Sequence, residues 1–178
     1  MEIIIEPAQT KHLPEILDLY RLVAVQRDGI IRHEHEITED YVRGFLEKSL
    51  QKGLILLARK ETTLIGEIHA YIPEIYAFRH ILSELTIVVH PDYQGMGVGR
   101  KLFTQFLDTV KEQLRHIYRI ELFVRAHNHK PHAFYQSLGF VDEGHHVNKI
   151  LTGELTFETP IHMAWFNPCF DPALVKNS

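Results

Sequence analysis

A length of 178 residues is close to that of one domain, so we expect residues 1–178 to form a single domain. Hydrophobic residues make up 45% of the chain, which excludes global disorder. The 19 Lys and Arg residues are outnumbered by 23 Asp and Glu residues, and the net charge is -4 with His neutral. Because there is no basic excess, we exclude a general nucleic-acid scaffold and expect no nucleic-acid partner.

The sequence also gives expectations about the cellular compartment. The longest apolar run, Leu54–Ala58, is much shorter than the roughly 20 residues that cross a bilayer. The first residues, Met1–Glu6, have neither the basic start nor the small-residue cleavage site of a secretory signal. Cys169 is the only cysteine, so no internal disulfide can form. We therefore expect a cytoplasmic protein with no membrane partner.

The first half of the chain predicts one strand, two helices and a hairpin. The β-branched run Ile3–Ile5 predicts the strand. Thr10 is expected to cap a first helix and Thr38 a second, each followed by apolar residues at helical spacing. Leu54–Arg59 and Leu64–Tyr71 are strand-like runs joined by a short polar segment, which predicts a β-hairpin.

The second half predicts alternating strands and helices. In order these are a strand at 84–89, an amphipathic helix from about Gly97, a strand at 120–124, a short helix, and two late strands after Phe140, the clearer one at 157–166. Pro131 suits the first turn of the short helix and Gly139 its C′ position. The order β-α-α-β-β-β-α-β-α-β-β predicts an α/β fold whose mixed, mostly antiparallel central sheet has helices on both faces.

A glycine-rich turn joins the predicted strand at 84–89 to the helix that follows it. Glycines allow several backbone N–H groups to converge there, and the helix N-terminus adds partial positive charge, so the turn favours a phosphate or pyrophosphate. Arg100 can add a charge-assisted contact. The spacing Gln94, Gly97, Gly99 matches neither the Walker pattern nor the dinucleotide fingerprint. An ordinary tight strand-to-helix connection is the alternative.

A second segment, Asn128–Phe140, follows the next predicted strand. Taken singly, it is equally compatible with a capped short helix that stops at Gly139 and in which Tyr135 only packs. In this order and with a strand between them, however, the two segments resemble the GNAT superfamily of acyl-CoA-dependent N-acyltransferases. Gln94-x-x-Gly97-x-Gly99 is similar to that family's pyrophosphate-binding turn, and Asn128, Tyr135 and Gly139-Phe140 are similar to its second motif.

The resemblance implies a GNAT-like fold, with acetyl-CoA as co-substrate and a primary amine of a small molecule or peptide as acceptor in a ternary complex. A homodimer through the late strands is compatible with it. Gly95 and Pro131 depart from the family's usual basic and small residues at those positions. The cofactor-binding residues that the resemblance implies are Ile87, Val88, Val89, Gln94, Gly95, Met96, Gly97, Val98, Gly99, Arg100, Asn128 and Tyr135.

Such a reaction requires a proton acceptor, because an alkyl amine with a pKa of about 10.4 is mostly protonated at pH 7. Glu67 and His69 share one side of their strand by alternation, and Glu84 lies on the next strand. We expect Glu84 with Glu67 or His69 to form the acceptor pocket, with Glu84 as the favoured base through a water. Side chains that simply face solvent on an uncovered part of the sheet are the alternative. Glu121 is a weaker candidate.

Within this resemblance, Tyr135 is expected to be a catalytic residue together with Glu84. A phenol with a pKa near 10 remains protonated at pH 7 and can supply a proton or hydrogen bond to the leaving thiolate. The backbone N–H groups of Ile87–Val89, where the strand ends beside the turn, are expected to polarise the thioester carbonyl.

The chain has thirteen histidines, and three of them, His127, His129 and His132, are spaced as H-x-H-x-x-H. Histidines this close together could bind a metal ion. No thiolate cluster accompanies them and the H-E-x-x-H spacing is absent, so we expect no metal site. Two competing functions remain open at this point, a non-catalytic acyl-CoA-binding sensor or regulatory module and a metal-binding protein. Acceptor identity is not readable from any motif.

Overall fold

The computed structural model describes residues 2–26 and 29–177. Positions 1, 27, 28 and 178 belong to the predicted single domain but lie outside the described residues. The first half contains strand β1 (Ile4–Pro7), helices α1 (Leu13–Ala24) and α2 (Glu39–Lys52), and strands β2 (Gly53–Lys60), β3 (Thr63–Tyr71) and β4 (Ile81–Val89). The second half contains helix α3 (Val98–Gln113), strand β5 (Arg119–Arg125), helix α4 (His129–Ser137), and strands β6 (Val141–His145), β7 (Ile150–Leu151), β8 (Phe157–Glu158) and β9 (Pro160–Phe166).

Seven strands form the main sheet in the order β1-β2-β3-β4-β5-β9-β6. Neighbouring strands are antiparallel except for β4 and β5, which run parallel. Strands β7 and β8 form a separate antiparallel pair. The predicted mixed, mostly antiparallel sheet is therefore confirmed.

Two apolar cores lie on the two faces of this sheet because strand side chains alternate. Leu56 and Ala58 of β2 belong to the core that contains helix α3, with Phe103 and Phe106 fully buried at its centre. Ile55 and Leu57, the alternate residues of β2, belong to the core formed with α1 and α2. Helices therefore cover both faces, as the sequence predicts.

The two predicted helix caps have different outcomes. The Thr38 side chain accepts a hydrogen bond from the Tyr41 N–H, 3.2 Å away, and α2 begins at the next residue, Glu39, as predicted. The prediction for Thr10 is wrong, because Thr10 opens a 3₁₀ turn that ends at His12, and α1 begins only at Leu13. The turn is capped instead by Gln9, whose N–H donates to His12 Nδ1 at 3.0 Å.

The clearer late strand, predicted at 157–166, is interrupted at Thr159. The Thr159 hydroxyl accepts a hydrogen bond from the Asn148 N–H at 3.0 Å, and only Pro160–Phe166 joins the main sheet. Among the described residues, none of the helices combines the length and the apolar character needed to cross a bilayer.

Candidate active site

A wedge-shaped gap separates β4 from β5. Within the described residues these strands pair only at Ile81 with Arg119 and at Leu82 with Ile120. Strand β4 nevertheless stays paired with β3 as far as Val89, and β5 stays paired with β9 as far as Arg125. The inner edges of the two strands therefore present backbone N–H and C=O groups to the gap, where a ligand with amide groups can satisfy them.

A β-bulge lies on the β4 side of this gap. His69 pairs with Thr86, whereas the next pair along is Tyr71 with Ser83, so Ala70 faces two residues of β4. Glu84, in the bulge, has φ 56°, a left-handed conformation that costs a non-glycine residue about 1 kcal/mol or more. The simple alternation predicted for this strand therefore fails at Glu84, and its exposed carboxylate lines the gap.

The gap opens into a cleft of about 1030 Å³. Met96, which is 58% exposed, is the one predicted cofactor residue that does not line it. The predicted cofactor residues that do line the cleft are Ile87, Val88, Val89, Gln94, Gly95, Gly97, Val98, Gly99, Arg100, Asn128 and Tyr135.

The glycine-rich turn closes one end of the cleft. Gly95 and Gly97 have φ angles of 75° and 83°, so a turn of this shape favours glycine at both positions. The Lys101 N–H donates to the Gly97 carbonyl at 3.0 Å, which begins the hydrogen-bond ladder of α3. The preceding amides of Val98, Gly99 and Arg100 have no acceptor inside the helix and lie at its positive end, an arrangement suited to a phosphate group.

Arg100 links the turn to helix α4. Its Nη2 donates to Ser137 Oγ at 3.1 Å, and its guanidinium lies 5.2 Å from the centre of the Phe134 ring. The side chain is exposed and lines the cleft, so the predicted phosphate contact remains sterically open.

Helix α4 presents Asn128 and Tyr135 to the opposite wall. Asn128 stands at the N-cap, yet its side chain makes no capping hydrogen bond. The helix ends at Ser137, and Gly139, with φ 93°, occupies the C′ position as predicted; the next N–H, that of Phe140, donates to the Tyr135 carbonyl at 3.1 Å. The Tyr135 ring packs 5.7 Å from that of Phe103, and burial raises the pKa of its phenol to about 12.

The other end of the cleft is an aromatic chamber beside α2, with rings from Tyr41, Phe45 and Tyr71. Arg32 donates to Glu36 at 3.4 Å and lies 4.2 Å from the Tyr41 ring centre. Burial is the main cause that raises the pKa of the Tyr71 phenol, and the negative charge of Glu84, which lines the same cleft, raises it further.

Two predicted acceptor-site residues lie at the base of the chamber and not on an open surface. Glu67 is 0% exposed and His69 2% exposed, so the alternative in which they face solvent is wrong. His69 lines the cleft, but Glu67 does not, and the prediction that Glu67 borders the acceptor directly is corrected on that ground. Glu67 instead accepts a hydrogen bond from the Tyr20 hydroxyl at 2.6 Å. The sequence identified Tyr20 only as an apolar-face residue of a helix.

Glu121 is occupied elsewhere. Its carboxylate accepts hydrogen bonds from Ser83 Oγ at 2.5 Å and from Arg119 at 3.1 Å, and it does not line the cleft. The histidines of the H-x-H-x-x-H pattern are also separated, since His132 bonds Asp142 at 2.8 Å while His127 approaches Glu158 at 3.7 Å. In the part of the chain that the structure describes, no group of His, Cys, Asp or Glu side chains is arranged to hold a metal ion.

Residues 14–140, which include both walls of the cleft, match the family model described as Acetyltransferase (GNAT) family. The chain belongs to this family. Its resemblance to the GNAT superfamily, read from the turn and the second motif, is thereby confirmed.

The sequence relatives of this GNAT protein match it over part of their length. It is 31% identical over 118 residues to the spermidine N(1)-acetyltransferase of Vibrio cholerae. This alignment covers 66% of this chain and 58% of the relative. It is 38% identical over 64 residues to the L-amino acid N-acyltransferase MnaT of Escherichia coli, covering 36% of each chain. The aligned segments thus span less than two thirds of these curated relatives.

Solved structures resemble the GNAT protein over nearly their whole length. A ribosomal-protein-alanine N-acetyltransferase from Brucella melitensis superimposes with a TM-score of 0.80 at 21% identity, covering 92% of this chain and 99% of that one. A Salmonella typhimurium protein solved with its cofactor acetyl-CoA gives a TM-score of 0.78 at 17% identity, covering 92% and 93%. At these identities the likeness establishes the shared fold.

Proposed function

We propose that this protein transfers an acetyl group from acetyl-CoA to a primary amine inside a ternary complex. The single observation that carries the proposal is the wedge between β4 and β5, which has the glycine-rich turn at one end and the acidic, aromatic chamber at the other. Family membership and the acetyl-CoA in a structure of the same fold support the choice of co-substrate.

In this proposal the diphosphate of coenzyme A binds the amides at the start of α3, and the pantetheine arm runs along the unpaired edges of β4 and β5. The amide groups of that arm can pair with backbone groups there much as an added strand would. Asn128, whose side chain is not used as a helix cap, supplies a further donor and acceptor on the opposite wall. The thioester then lies between Tyr135 and the edge of β4.

The chemistry needs stabilisation of a negative oxygen and protonation of a leaving sulfur. Backbone N–H groups of β4 within Ile87–Val89 that are not used in pairing with β3 can donate to the oxyanion of the tetrahedral intermediate, and one such donor contributes about 3 kcal/mol in comparable sites. Tyr135, with its pKa of about 12, is a neutral phenol at pH 7 and can donate to the thiolate.

The chamber end is suited to a cationic amine. Glu84 supplies negative charge on the cleft wall, where Glu36 is already paired with Arg32, and aromatic rings such as Tyr71 can contact an ammonium group through cation–π attraction. The Vibrio cholerae relative acts on such an amine, by its name a spermidine acetyltransferase. The prediction that Glu84 takes the amine's proton through water stays a prediction, because its position fits ammonium binding equally well.

The test combines binding with turnover. Calorimetry should show saturable binding of acetyl-CoA, and a thiol-release assay across a panel of primary amines should show release that depends on the amine. Binding without amine-dependent release would support the sensor or regulatory module instead. Absence of acetyl-CoA binding would reject both.

A further inference from the structure

Three polar side chains form a buried hydrogen-bonded chain beneath the aromatic chamber. The Tyr20 hydroxyl of α1 donates to Glu67 Oε2 at 2.6 Å, and Glu67 Oε1 lies 3.0 Å from His69 Nδ1. The Tyr20 oxygen is also 3.3 Å from the same ring nitrogen. A buried carboxylate without partners would be costly, so this satisfied arrangement indicates a defined role.

These hydrogen bonds determine which ring nitrogen of His69 carries a hydrogen. Burial, and next the charge of Glu67, raise the pKa of Tyr20 well above its ordinary value, so Tyr20 remains a phenol and donates its proton toward Glu67. An unprotonated Nδ1 would direct its lone pair at the carboxylate 3.0 Å away. Nδ1 therefore holds a hydrogen, so in the neutral form of the imidazole it is Nε2 that carries the free lone pair.

Packing holds the ring and leaves Nε2 toward the cleft. The Phe45 ring lies parallel to the imidazole, with centroids 4.0 Å apart and planes 4° apart. Among the described residues, the buried side-chain nitrogen and oxygen atoms that lack a hydrogen-bond partner are Ser49 Oγ and Arg119 Nε. Both hydrogen-bond contacts of His69 with described residues use Nδ1, so Nε2 is the ring nitrogen left for a ligand, and the cleft is the space that His69 lines.

Described residues surround His69 on its own strand and on the elements packed against it. Ile55 of β2 and Thr86 of β4 pair with it across the sheet. The described ionisable groups that face it or line the chamber around it are Glu67 and Tyr71 on its own strand, Tyr20 on α1, Tyr41 on α2, Glu84 on β4, and Arg32 with its partner Glu36 beside Tyr41.

We propose that His69, oriented by Glu67 and Tyr20, is the base that takes the proton from the acceptor amine, directly or through one water. This inference rests on the proposed acetyl transfer. The ammonium form gives a proton to His69 Nε2, and the freed nitrogen pair forms the C–N bond to the thioester carbonyl carbon. The C–S bond then breaks, the second N–H proton goes to the sulfur by way of Tyr135, and His69 releases its proton to solvent.

Geometry favours His69 over Glu84 for this step. The imidazole of His69 is held in one orientation by the parallel Phe45 ring and by its contact with Glu67, as a general base must be. Glu84 is exposed at the chamber wall, where a carboxylate is suited to hold the ammonium group in place. In this proposal Glu84 keeps its predicted place in the acceptor pocket, and His69 takes the role of base that the sequence analysis favours for Glu84.

Three variants of the full-length protein test the proposal, and acetyl-CoA binding measured by calorimetry is the fold control. We expect His69→Gln to lower kcat/KM for the amine about 100-fold, at the lower end of what general-base catalysis contributes. Glu67→Gln and Tyr20→Phe should lower it by smaller factors while acetyl-CoA affinity stays within twofold. Glu84→Gln should mainly raise KM for the amine. His145→Gln, an exposed histidine outside the cleft, should match the wild type.

Two further readouts separate a base from a structural residue. Added imidazole should restore turnover to His69→Ala in proportion to its free-base concentration. The penalty of His69→Gln should also shrink for a weakly basic fluorinated analogue of the same amine, since that amine is already neutral at pH 7. If His69→Gln fails to fold, Tyr20→Phe decides, because it should lower kcat for the strongly basic amine more than for the fluorinated one.

The possible failures are distinguishable. A wild-type protein that acetylates amines while His69→Gln keeps full kcat/KM would overturn this inference and leave the proposed function intact. Equal losses for both amines without imidazole rescue would reduce His69 to a structural residue and also overturn it. A wild type without amine-dependent thiol release would remove the proposed function itself.

Discussion

Gln94 donates a hydrogen bond from its side-chain Nε2 to the backbone carbonyl of Val89, 3.1 Å away. The bond spans the glycine-rich turn and ties its far side to the end of β4. The Gln94 side chain therefore shapes the turn, in addition to lining the cleft as the sequence predicts.

Replacing Gln94 by Ala should weaken acetyl-CoA binding by loosening this turn. A hydrogen bond of this kind contributes about 0.5–1.5 kcal/mol, which corresponds to about a 2- to 10-fold rise in Kd. Calorimetric titration with acetyl-CoA measures the change. Gln51→Ala, at an exposed position at the end of α2, is the matched control and should leave Kd unchanged. An unaltered Kd for Gln94→Ala would show that the turn holds its shape without the bond.

Gly97→Ala should weaken cofactor binding through the backbone alone. Gly97 has φ 83° and open space around it, so an added methyl group meets no atom within 4 Å but the left-handed conformation costs about 1–2 kcal/mol. We expect Kd for acetyl-CoA to rise about tenfold. Gly44→Ala in α2 makes the same change in equally open space without a positive φ, and it should raise the unfolding midpoint slightly. If both variants bound acetyl-CoA with the same Kd, the left-handed conformation of Gly97 would not matter for binding.

Much of the fold follows from local pattern. The alternation of Ile55 and Leu57 with Leu56 and Ala58 is enough to assign a strand buried on both faces. Thr38 was correctly assigned as a cap because its hydroxyl serves an N–H only three residues ahead. The prediction for Thr10 is wrong because Gln9 and His12 cap this turn instead, and neither is a residue type that usually caps a helix.

The cofactor half of the site is also local, since the glycine-rich turn and the segment from Asn128 to Tyr135 each lie within a short stretch. The acceptor half depends on contacts between distant residues. Tyr20 and Glu67 meet across 47 positions, and the bulge at Glu84 arises only when β4 pairs with β3. No spacing along one strand contains that information, so alternation alone does not distinguish His69, which lines the cleft, from Glu67, which is buried beneath it.

Tyr135→Phe should lower kcat while Kd for acetyl-CoA changes little, because the ring packing is kept and only the hydroxyl is lost. General-acid catalysis contributes about 100-fold at its lower end, and a thiolate is a good leaving group, so we expect a decrease of about that size or less. Steady-state thiol release under saturating acetyl-CoA measures it. A kcat equal to that of the wild type would remove Tyr135 from the mechanism.

The same residue predicts the alkaline side of the pH profile. Burial raises the pKa of Tyr135 from 10.0 to about 12, so the phenol keeps its proton as pH rises past its ordinary value. Wild-type kcat should therefore show no decrease attributable to Tyr135 up to about pH 11, one unit below that value. A decrease near pH 10 that disappears in Tyr135→Phe would contradict the buried, neutral phenol.

Arg59 should stabilise the fold in a pH-dependent manner. Its guanidinium donates to both Glu15 oxygens, at 2.9 and 2.5 Å, and its side chain is 14% exposed. The hydrogen bond with Arg59 is the largest cause that lowers the pKa of Glu15 below its ordinary 4.5. Because the folded pKa is the lower one, the stabilisation is present above pH 4.5 and is lost as pH falls through the folded value.

Arg59→Gln should therefore lower the free energy of unfolding by about 1 kcal/mol near neutral pH, with the partial exposure of Glu15 limiting the effect. Urea unfolding at about pH 7 and about pH 3 should show this difference shrinking in acid, as the pH falls toward the lowered folded pKa of Glu15. Arg43→Gln, which removes a pair with Glu39 whose side chains are 44% and 57% exposed, is the matched control and should change stability little at either pH. A penalty for Arg59→Gln that is the same at both pH values would mean that packing of its long side chain, and not its charge, stabilises the junction of β1, β2 and α1.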